Sequence, residues 1–262
     1  KLKCRNQQIQ QVVMNLLTNA RDALNQRYEG YDENKTIRIS AHTFEQKGRV
    51  WIRTTVEDHG AGIPEKYGGV EMGAEVLCVL AEEIGRVLAP VPFSTSVSLA
   101  TSAICAHGSE AQKNDLLPKL AAGEVIGTFA LAEGNGDPDA SRIKAKVKNG
   151  RLSGKKYPVT DGSIADFAVV VARDEANEIG LYFCDLSTSG ITSTPIETID
   201  PSRNTVSFNF ENAEVEPLGD AWLGWQSVQN LLDQAAIILA FEQLGGAQAC
   251  LEMARDYAIE RY

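Results

Sequence analysis

The sequence predicts an α+β chain in which helices, strands and helices follow one another, behind a separate helix-and-hairpin segment. Three observations carry this. Helical periodicity runs from about residue 8 to 24 and again from 74. Period-two alternation takes over between about 125 and 210. Helical periodicity then returns after Trp222 and lasts to the end of the chain.

The 262 residues give room for one large domain or two smaller ones. Hydrophobic residues make up 44% and charged residues 23%, an ordinary globular balance. No apolar run reaches the ~18 to 20 residues of a membrane span. The start, "KLKCRNQQIQ", has neither an apolar signal core nor an initiator Met, and "RDYAIERY" stops inside a helical pattern. Both ends are therefore expected to be cut. The net charge of −10 divides unevenly. Residues 1–67 carry 11 Lys/Arg against 8 Asp/Glu, a net +3, which leaves −13 for residues 68–262. The sign change points to two modules, and the acidic majority argues against nucleic acid. Cys4, Cys78, Cys105, Cys184 and Cys250 are odd in number and widely spaced, so buried free thiols in a reducing cytoplasm are expected. His42, His59 and His107 lack metal-type spacing.

In "NQQIQQVVMNLLTNARDAL", Ile9, Val12, Val13, Leu16, Leu17, Ala20 and Leu24 share one helix face. Gln8, Gln11, Asn15, Asn19 and Asp22 share the other. Asn is a poor helix former, so two of them mid-helix cost stability unless they are used. At i,i+4 their amides point the same way, and neutral oxygens on a rigid helix suit Mg²⁺. Ile37, Ile39 and Ala41 alternate, as do Val50, Ile52, Thr54 and Val56. These are two half-buried strands, expected to pair antiparallel through a connection over 42–49. The second runs into "DHGAGIP", where Gly60 and Gly62 let the backbone approach a ligand and Asp58 supplies an acceptor.

Beyond residue 68, "AEVLCVLAEEIGRVLA" is a helix that ends near Pro90, and "STSVSLATSAICAHG" is a second, closed by Gly108. "SEAQKNDLLPKLAAGE" is a third, with Ser109 and Gln112 as a capping box, Gly123 as its stop, and Pro118 predicting a kink or an early end. Strands are expected near 125–132, 142–148, 151–160, 166–173, 179–186, 191–198 and 204–210, forming a small barrel or sandwich. "KVKNGRLSG" carries an Asn-Gly hairpin signal. Gly245 and Gly246 inside the last helix cost ~1 kcal/mol each, which predicts a close helix–helix contact. Glu82 and Glu83 read as a solvated face, and Trp222 and Trp225 as packing residues. Glu133 reads equally as an exposed end-of-strand acid or as a site residue.

Residues 1–65 resemble the ATP-binding domain of sensor histidine kinases: "QQVVMNLLTNARDAL" matches the N box and "VEDHGAGIPE" the first glycine box. The resemblance implies that Asn19 holds Mg²⁺ and that Asn15 lies beside the phosphates of ATP. It also implies that Asp58 accepts from the adenine amino group, with Gly60 and Gly62 shaping that wall. It covers about half of such an α/β sandwich, without the later glycine boxes, the lid or the phospho-accepting histidine.

Residues 68–262 resemble the acyl-CoA dehydrogenase family along nearly their whole length, through "YGGVEMGAEVLCVLAEEIGRVLAPVPF", "GSEAQKNDLLPKLAAGE", "FALAE", "GRLSGKKYPVTDGSIADFAVVVAR", "IDPSRNT" and "AFEQLGGAQACLEMARDYAIERY". The resemblance implies a partial N-terminal helical domain (66–124), a central β-domain (125–220) and the start of a C-terminal helical bundle (221–262), behind the ATPase-like fragment of 1–65. It implies FAD, α,β-dehydrogenation of an acyl-CoA thioester, electron transfer to an electron-transferring flavoprotein, and an oligomer in the parent family. By the same resemblance Phe129, Leu131 and Ala132 line the flavin edge. Val159 and Thr160 lie along the ring, with the Thr160 hydroxyl towards N5, and Arg261 binds the cofactor pyrophosphate, a role that suits a guanidinium.

The departures from that family are specific. Ala132-Glu133-Gly134 stands where Thr-Glu-Pro is usual, so one flavin-bonding hydroxyl is gone. Asp137 and Pro138 fall where Gly-Ser is usual, and Pro158 replaces an aromatic. The catalytic glutamate usually lies far beyond residue 262, and at the alternative position on "LLDQAA" the residue is Ala235. Three readings result: an incomplete flavin dehydrogenase, a kinase-type ATP-binding fragment with an appended part, and a chimera with no single function. The dehydrogenase portion is the longer and sets the expected activity. "DHGAGIPEKYGGVEMG" reads as the seam between the two parts.

Overall fold

The computed structural model describes residues 38–46, 49–57, 63–69, 74–200, 202–219 and 223–261. The chain divides into two compact units. One takes in the described residues up to Ala89 together with those from Ile238 on; the other is Pro90–Ile237.

In the first unit, β1 (Arg38–Gln46) and β2 (Arg49–Glu57) form an antiparallel hairpin with Arg38 opposite Glu57 and Gln46 opposite Arg49. The antiparallel pairing is as expected, but His42–Gln46 and Arg49 belong to the strands. The expected connection over 42–49 shrinks to residues 47–48, because the ladder runs the full length of both strands. Helix α1 (Ala74–Arg86) ends before Pro90. The unit also holds the last part of one 37-residue helix, α4 (Gly224–Glu260). The two helices touch through glycines. A Cβ on Gly85 would stand 1.7 Å from the Glu242 carbonyl oxygen, and one on Gly245 would stand 1.8 Å from that of Glu82. Close contact is thus why glycine sits mid-helix here. Gly246 has only ordinary space, with the Gly85 carbonyl 3.5 Å away. Glu82 and Glu83 are not a solvated face: both are half-buried, and Arg86 bridges them and Glu252 at 3.3–3.7 Å.

In the second unit, Phe93–Thr101 wind as a π-helix that passes directly into α2 (Ser102–His107), closed at Gly108. The expected helix is therefore present, but it starts one residue earlier and is wider-wound than an α-helix over Phe93–Thr101. Its serines and threonines face inward: Thr95, Ser96, Ser98 and Thr101 are buried. Helix α3 (Glu110–Ala121) starts on the Ser109–Gln112 capping box and runs through Pro118 rather than ending there. Gly123, with φ +65°, terminates it.

The strands are β3 (Gly127–Ala130), β4 (Lys146–Lys148), β5 (Arg151–Thr160), β6 (Phe167–Arg173), β7 (Ile179–Asp185), β8 (Ile191–Ile196), β9 (Thr205–Glu214) and β10 (Glu216–Pro217). They form one eight-stranded sheet in the order β10-β7-β6-β4-β5-β9-β8, with β3 beside β6. The very short β10 adds a strand to the expected seven. The central β6, "FAVVVAR", is buried at all but its last residue, as a strand covered on both faces must be. The edge strand β8, "ITSTPI", is mostly exposed, and its Pro195 needs no ladder donor there. Asn149 and Gly150, both at positive φ, make the predicted β4–β5 turn.

Candidate functional site

Past Ala130 the chain continues β3 alongside β5. The Tyr157 N–H donates to the Ala132 carbonyl at 2.8 Å, and the Gly134 N–H donates to the Tyr157 carbonyl at 2.9 Å. The Thr128 hydroxyl donates to the Thr160 carbonyl at 2.8 Å. This seam and the loop that follows it enclose a cavity of about 400 Å³, bordered by Leu131, Ala132, Gly134, Asp137, Arg142 and Lys144 among others.

Under the seam lies a buried ion pair. The Lys156 side chain is 0% exposed, and its Nζ donates to Glu133 Oε1 at 2.6 Å and to the Leu131 carbonyl at 3.0 Å. The Glu133 side chain, 6% exposed, also accepts from the backbone N–H groups of Lys144 (2.8 Å) and Ala145 (3.0 Å). Glu133 is therefore not an exposed end-of-strand acid, because three donors draw it inward. Burial pushes the Lys156 ammonium down to about 8, while the Glu133 hydrogen bond and charge work against that fall.

Lys156 shares the inward face of β5 with Leu152. A register shift between Lys156 and Val159 then lets Val159, three residues on, face the core as well. Pro158 sits in this irregularity, exposed. The parity with Leu152 was the available signal for Lys156: a lysine on the apolar side of a strand needs a buried partner.

The loop over the cavity is tied to itself. Asp139 Oδ1 accepts from the Ser141 N–H at 2.7 Å, and these Ser141 hydrogen bonds lower the Asp139 carboxyl. Arg142 Nη1 donates to the Asn135 carbonyl at 2.6 Å and lies where a Cβ on Gly136 would stand. Gly134 has φ +131°, a conformation closed to the proline of the usual Thr-Glu-Pro.

Leu131 and Ala132 border the cavity. Phe129 and Val159 are buried, with Val159 in the sheet core. Thr160 is half-buried, next to Val159 on the other side of the strand. The structure thus brings Leu131, Ala132 and Thr160 to one seam, with Phe129 and Val159 behind it. Arg261 belongs to the other unit, at the exposed end of α4, where its guanidinium lies 5.1 Å from the Tyr257 ring centre. Ala235 is half-buried on α4 and offers only a methyl group. Trp225 is half-buried, whereas Trp222 lies outside the described residues. Asn15, Asn19, Asp58, Gly60 and Gly62 lie outside them as well. Of the cysteines, Cys78 and Cys184 are buried and Cys105 is half-buried, but Cys250 is exposed on α4.

A second buried acid, Asp161, follows Thr160. Thr95 Oγ1, from the π-helix, donates to its Oδ2 at 2.7 Å, and Arg203 Nη1 stands 3.5 Å from the same oxygen. Burial raises the Asp161 carboxyl, against the Thr95 hydrogen bond and the Arg203 charge.

A flavin fits this seam on one edge. The peptide between Leu131 and Ala132 turns its carbonyl in to Lys156. Among the described residues the Ala132 N–H has no acceptor, and the half-buried Thr160 hydroxyl has no side-chain partner. A planar heterocycle with alternating donors and acceptors answers both.

The chain is similar to known proteins. A model of the acyl-CoA dehydrogenase N-terminal domain matches residues 34–124. That match begins well before the seam expected near residue 65 and takes in both strands of the hairpin. An acyl-CoA dehydrogenase of Bacillus subtilis is 35% identical over 219 residues, 77% of this chain and 57% of the relative. Butyryl-CoA dehydrogenase from Megasphaera elsdenii superposes with a TM-score of 0.70 at 29% identity, over 76% of this chain and 57% of that one. A glutaryl-CoA dehydrogenase from Mycobacterium smegmatis, in complex with FADH2, gives 0.67 at 28%, over 73% and 52%. The chain spans little more than half the length of these relatives. On these three counts, the chain is similar to the acyl-CoA dehydrogenase family over about three quarters of its length.

Proposed function

We infer that the chain binds FAD along the seam of residues 131–134 and Thr160 and serves the α,β-dehydrogenation of an acyl-CoA thioester. The observation that carries this is the open Ala132 N–H beside a cavity of about 400 Å³, with the half-buried Thr160 hydroxyl on the neighbouring strand as support. FAD, when bound, supplies the two-electron acceptor. The chain's own residues hold and orient it: Leu131 and Ala132 through their backbone, Thr160 through its hydroxyl, with Phe129 and Val159 as the apolar support beneath. Arg261, on the other unit, is the residue that the resemblance assigns to a cofactor pyrophosphate, a role that a planar guanidinium suits.

The base for the α proton is not Ala235, whose methyl group accepts no proton. The substrate class is a CoA thioester, and the electron acceptor an electron-transferring flavoprotein. Purified protein should carry the visible absorbance band of oxidised flavin, which an acyl-CoA substrate bleaches, with the oxidised form returning on addition of an electron acceptor. Protein that neither retains nor takes up FAD would rule out this reading.

A second reading concerns the first residues. The antiparallel β1–β2 hairpin lies between the N-box-like and glycine-box-like stretches, as the order of those motifs requires. Under it, Asn19 holds Mg²⁺ beside Asn15, and Asp58, Gly60 and Gly62 face adenine. Mg-ATP binding that disappears in Asn19→Ala would support it, and titration calorimetry without heat of binding would end it.

A further inference from the structure

We propose that Lys156 is a positioning residue for the flavin: by holding the Leu131 carbonyl, it aims the Ala132 N–H at the cofactor. The proposal rests on the FAD reading above and names the device behind it. A trans peptide is planar, so its C=O and N–H point in opposite directions. The Leu131 carbonyl points to Lys156 Nζ, 3.0 Å away and wholly buried. The N–H of the same peptide, that of Ala132, therefore points away from the buried side. It has no acceptor among the described residues, and both residues of the peptide border the cavity.

Two further contacts stiffen this arrangement. Glu133 ties Nζ at 2.6 Å and holds the Lys144 and Ala145 N–H groups, so the far end of the cavity loop is fixed to the same ammonium. The Ala132 carbonyl is held by the Tyr157 N–H, so the next peptide cannot rotate freely either. The device matters in this chain because Ala132 has no hydroxyl. A threonine there could meet the flavin with its side chain; alanine leaves the contact to the main chain. The orientation of one peptide then decides whether the contact exists.

The test uses the full chain and four proteins: wild type, Lys156→Met, Lys156→Arg, and Lys156→Met combined with Ala132→Thr. FAD affinity is read by quenching of free flavin fluorescence, and the flavin band by absorbance. The Ala132 amide resonance is followed by NMR without cofactor. Lys156→Met should weaken FAD at least tenfold, shift the band and move the Ala132 amide resonance. Lys156→Arg should retain most of the affinity. Ala132→Thr in the Met background should recover much of the loss, because a hydroxyl replaces the misdirected N–H; a purely structural lysine predicts no such rescue. Folded Lys156→Met that binds FAD like wild type, with an unmoved Ala132 amide, would overturn the proposal. Wild type that takes up no FAD would defeat the flavin reading instead, and the amide resonance alone would then decide whether Lys156 sets this peptide. If Lys156→Met does not fold, the affinity of Lys156→Arg relative to that of Glu133→Gln decides: equal, wild-type affinity in both would overturn the proposal.

Discussion

The two units hold their most crowded contacts in opposite ways. Where α1 meets α4, atoms are left out: Gly85 and Gly245 bring backbone against backbone, and the charges of Arg86, Glu82 and Glu252 stay only half-buried. In the sheet unit a charge is left in. Lys156 occupies a core position of β5, and its burial is tolerated because Glu133 and the Leu131 carbonyl receive it. A contact made by omission depends on one residue at a time. A contact made by a buried pair depends on both partners together, since either one alone is an uncompensated charge. The distinction can be broken or sharpened by mutation.

The largest effect should come from splitting the pair. Lys156→Met leaves Glu133 buried with only two backbone donors and should cost about 3–5 kcal/mol in chemical unfolding. Lys156→Met with Glu133→Leu should cost clearly less than the sum of the two single changes, because no charge is then stranded. Additive losses would mean that the two side chains act independently.

Next comes the helix contact. Gly245→Ala drives a methyl group into the Glu82 carbonyl and should cost about 3 kcal/mol. Gly246→Ala, one residue on, meets nothing closer than 3.5 Å and should gain up to ~1 kcal/mol from helix propensity. Equal thermal shifts for the two would show that the seam is looser than its geometry.

How much of this was legible differs between the units for a physical reason. Two glycines inside a helical pattern announce a close contact, since nothing local favours them. The Ser109 capping box and the Asn149-Gly150 turn are equally local, and both form as read. Lys156 and Glu133 lie 23 residues apart and meet only once β3's continuation lies beside β5. Strand parity with Leu152 could have placed Lys156 inside, but its partner could not be named from spacing. The π-helix was hidden too, because α and π winding share the same apolar pattern over nine residues. The length of β1 and β2 differs from expectation for a third reason: polar endings such as "HTFEQ" read as loop, although a hairpin ladder extends through them, as Thr43 opposite Ile52 and Phe44 opposite Trp51 show.

The pair should also sign itself in the pH dependence of stability. The folded state holds Lys156 at about 8, below the ordinary 10.5. Between these values the unfolded chain binds more protons, so this group makes stability rise with pH, by up to ~1.4 kcal/mol per unit. Urea midpoints from pH 8 to 10 should therefore climb more steeply in wild type than in Lys156→Met. Gly245→Ala should keep the wild-type slope, since it touches no ionisable core group. A parallel slope in all three would remove Lys156 as the source.

The smallest effect is expected at Asp161, where a buried charge has weaker support. Thr95 donates at 2.7 Å, but Arg203 stands at 3.5 Å. Asparagine can still accept from Thr95 and no longer carries the charge that burial disfavours. Asp161→Asn should therefore change stability at pH 7 by less than about 1 kcal/mol. Its sign in pH is the reverse of the usual carboxylate. A raised folded value means that the folded state keeps its proton longer, so stability from this group is full below 3.8 and falls as pH rises past it. Asp139 and Asp200, lowered by their Ser141 and Ser202 hydrogen bonds, act in the opposite direction. Subtracting the Asp161→Asn curve from wild type isolates the one term: the difference should fall with rising pH from about pH 4 upwards. A difference that rises would mean that Thr95 and Arg203 outweigh burial, and that the sheet unit holds two well-paired buried charges instead of one.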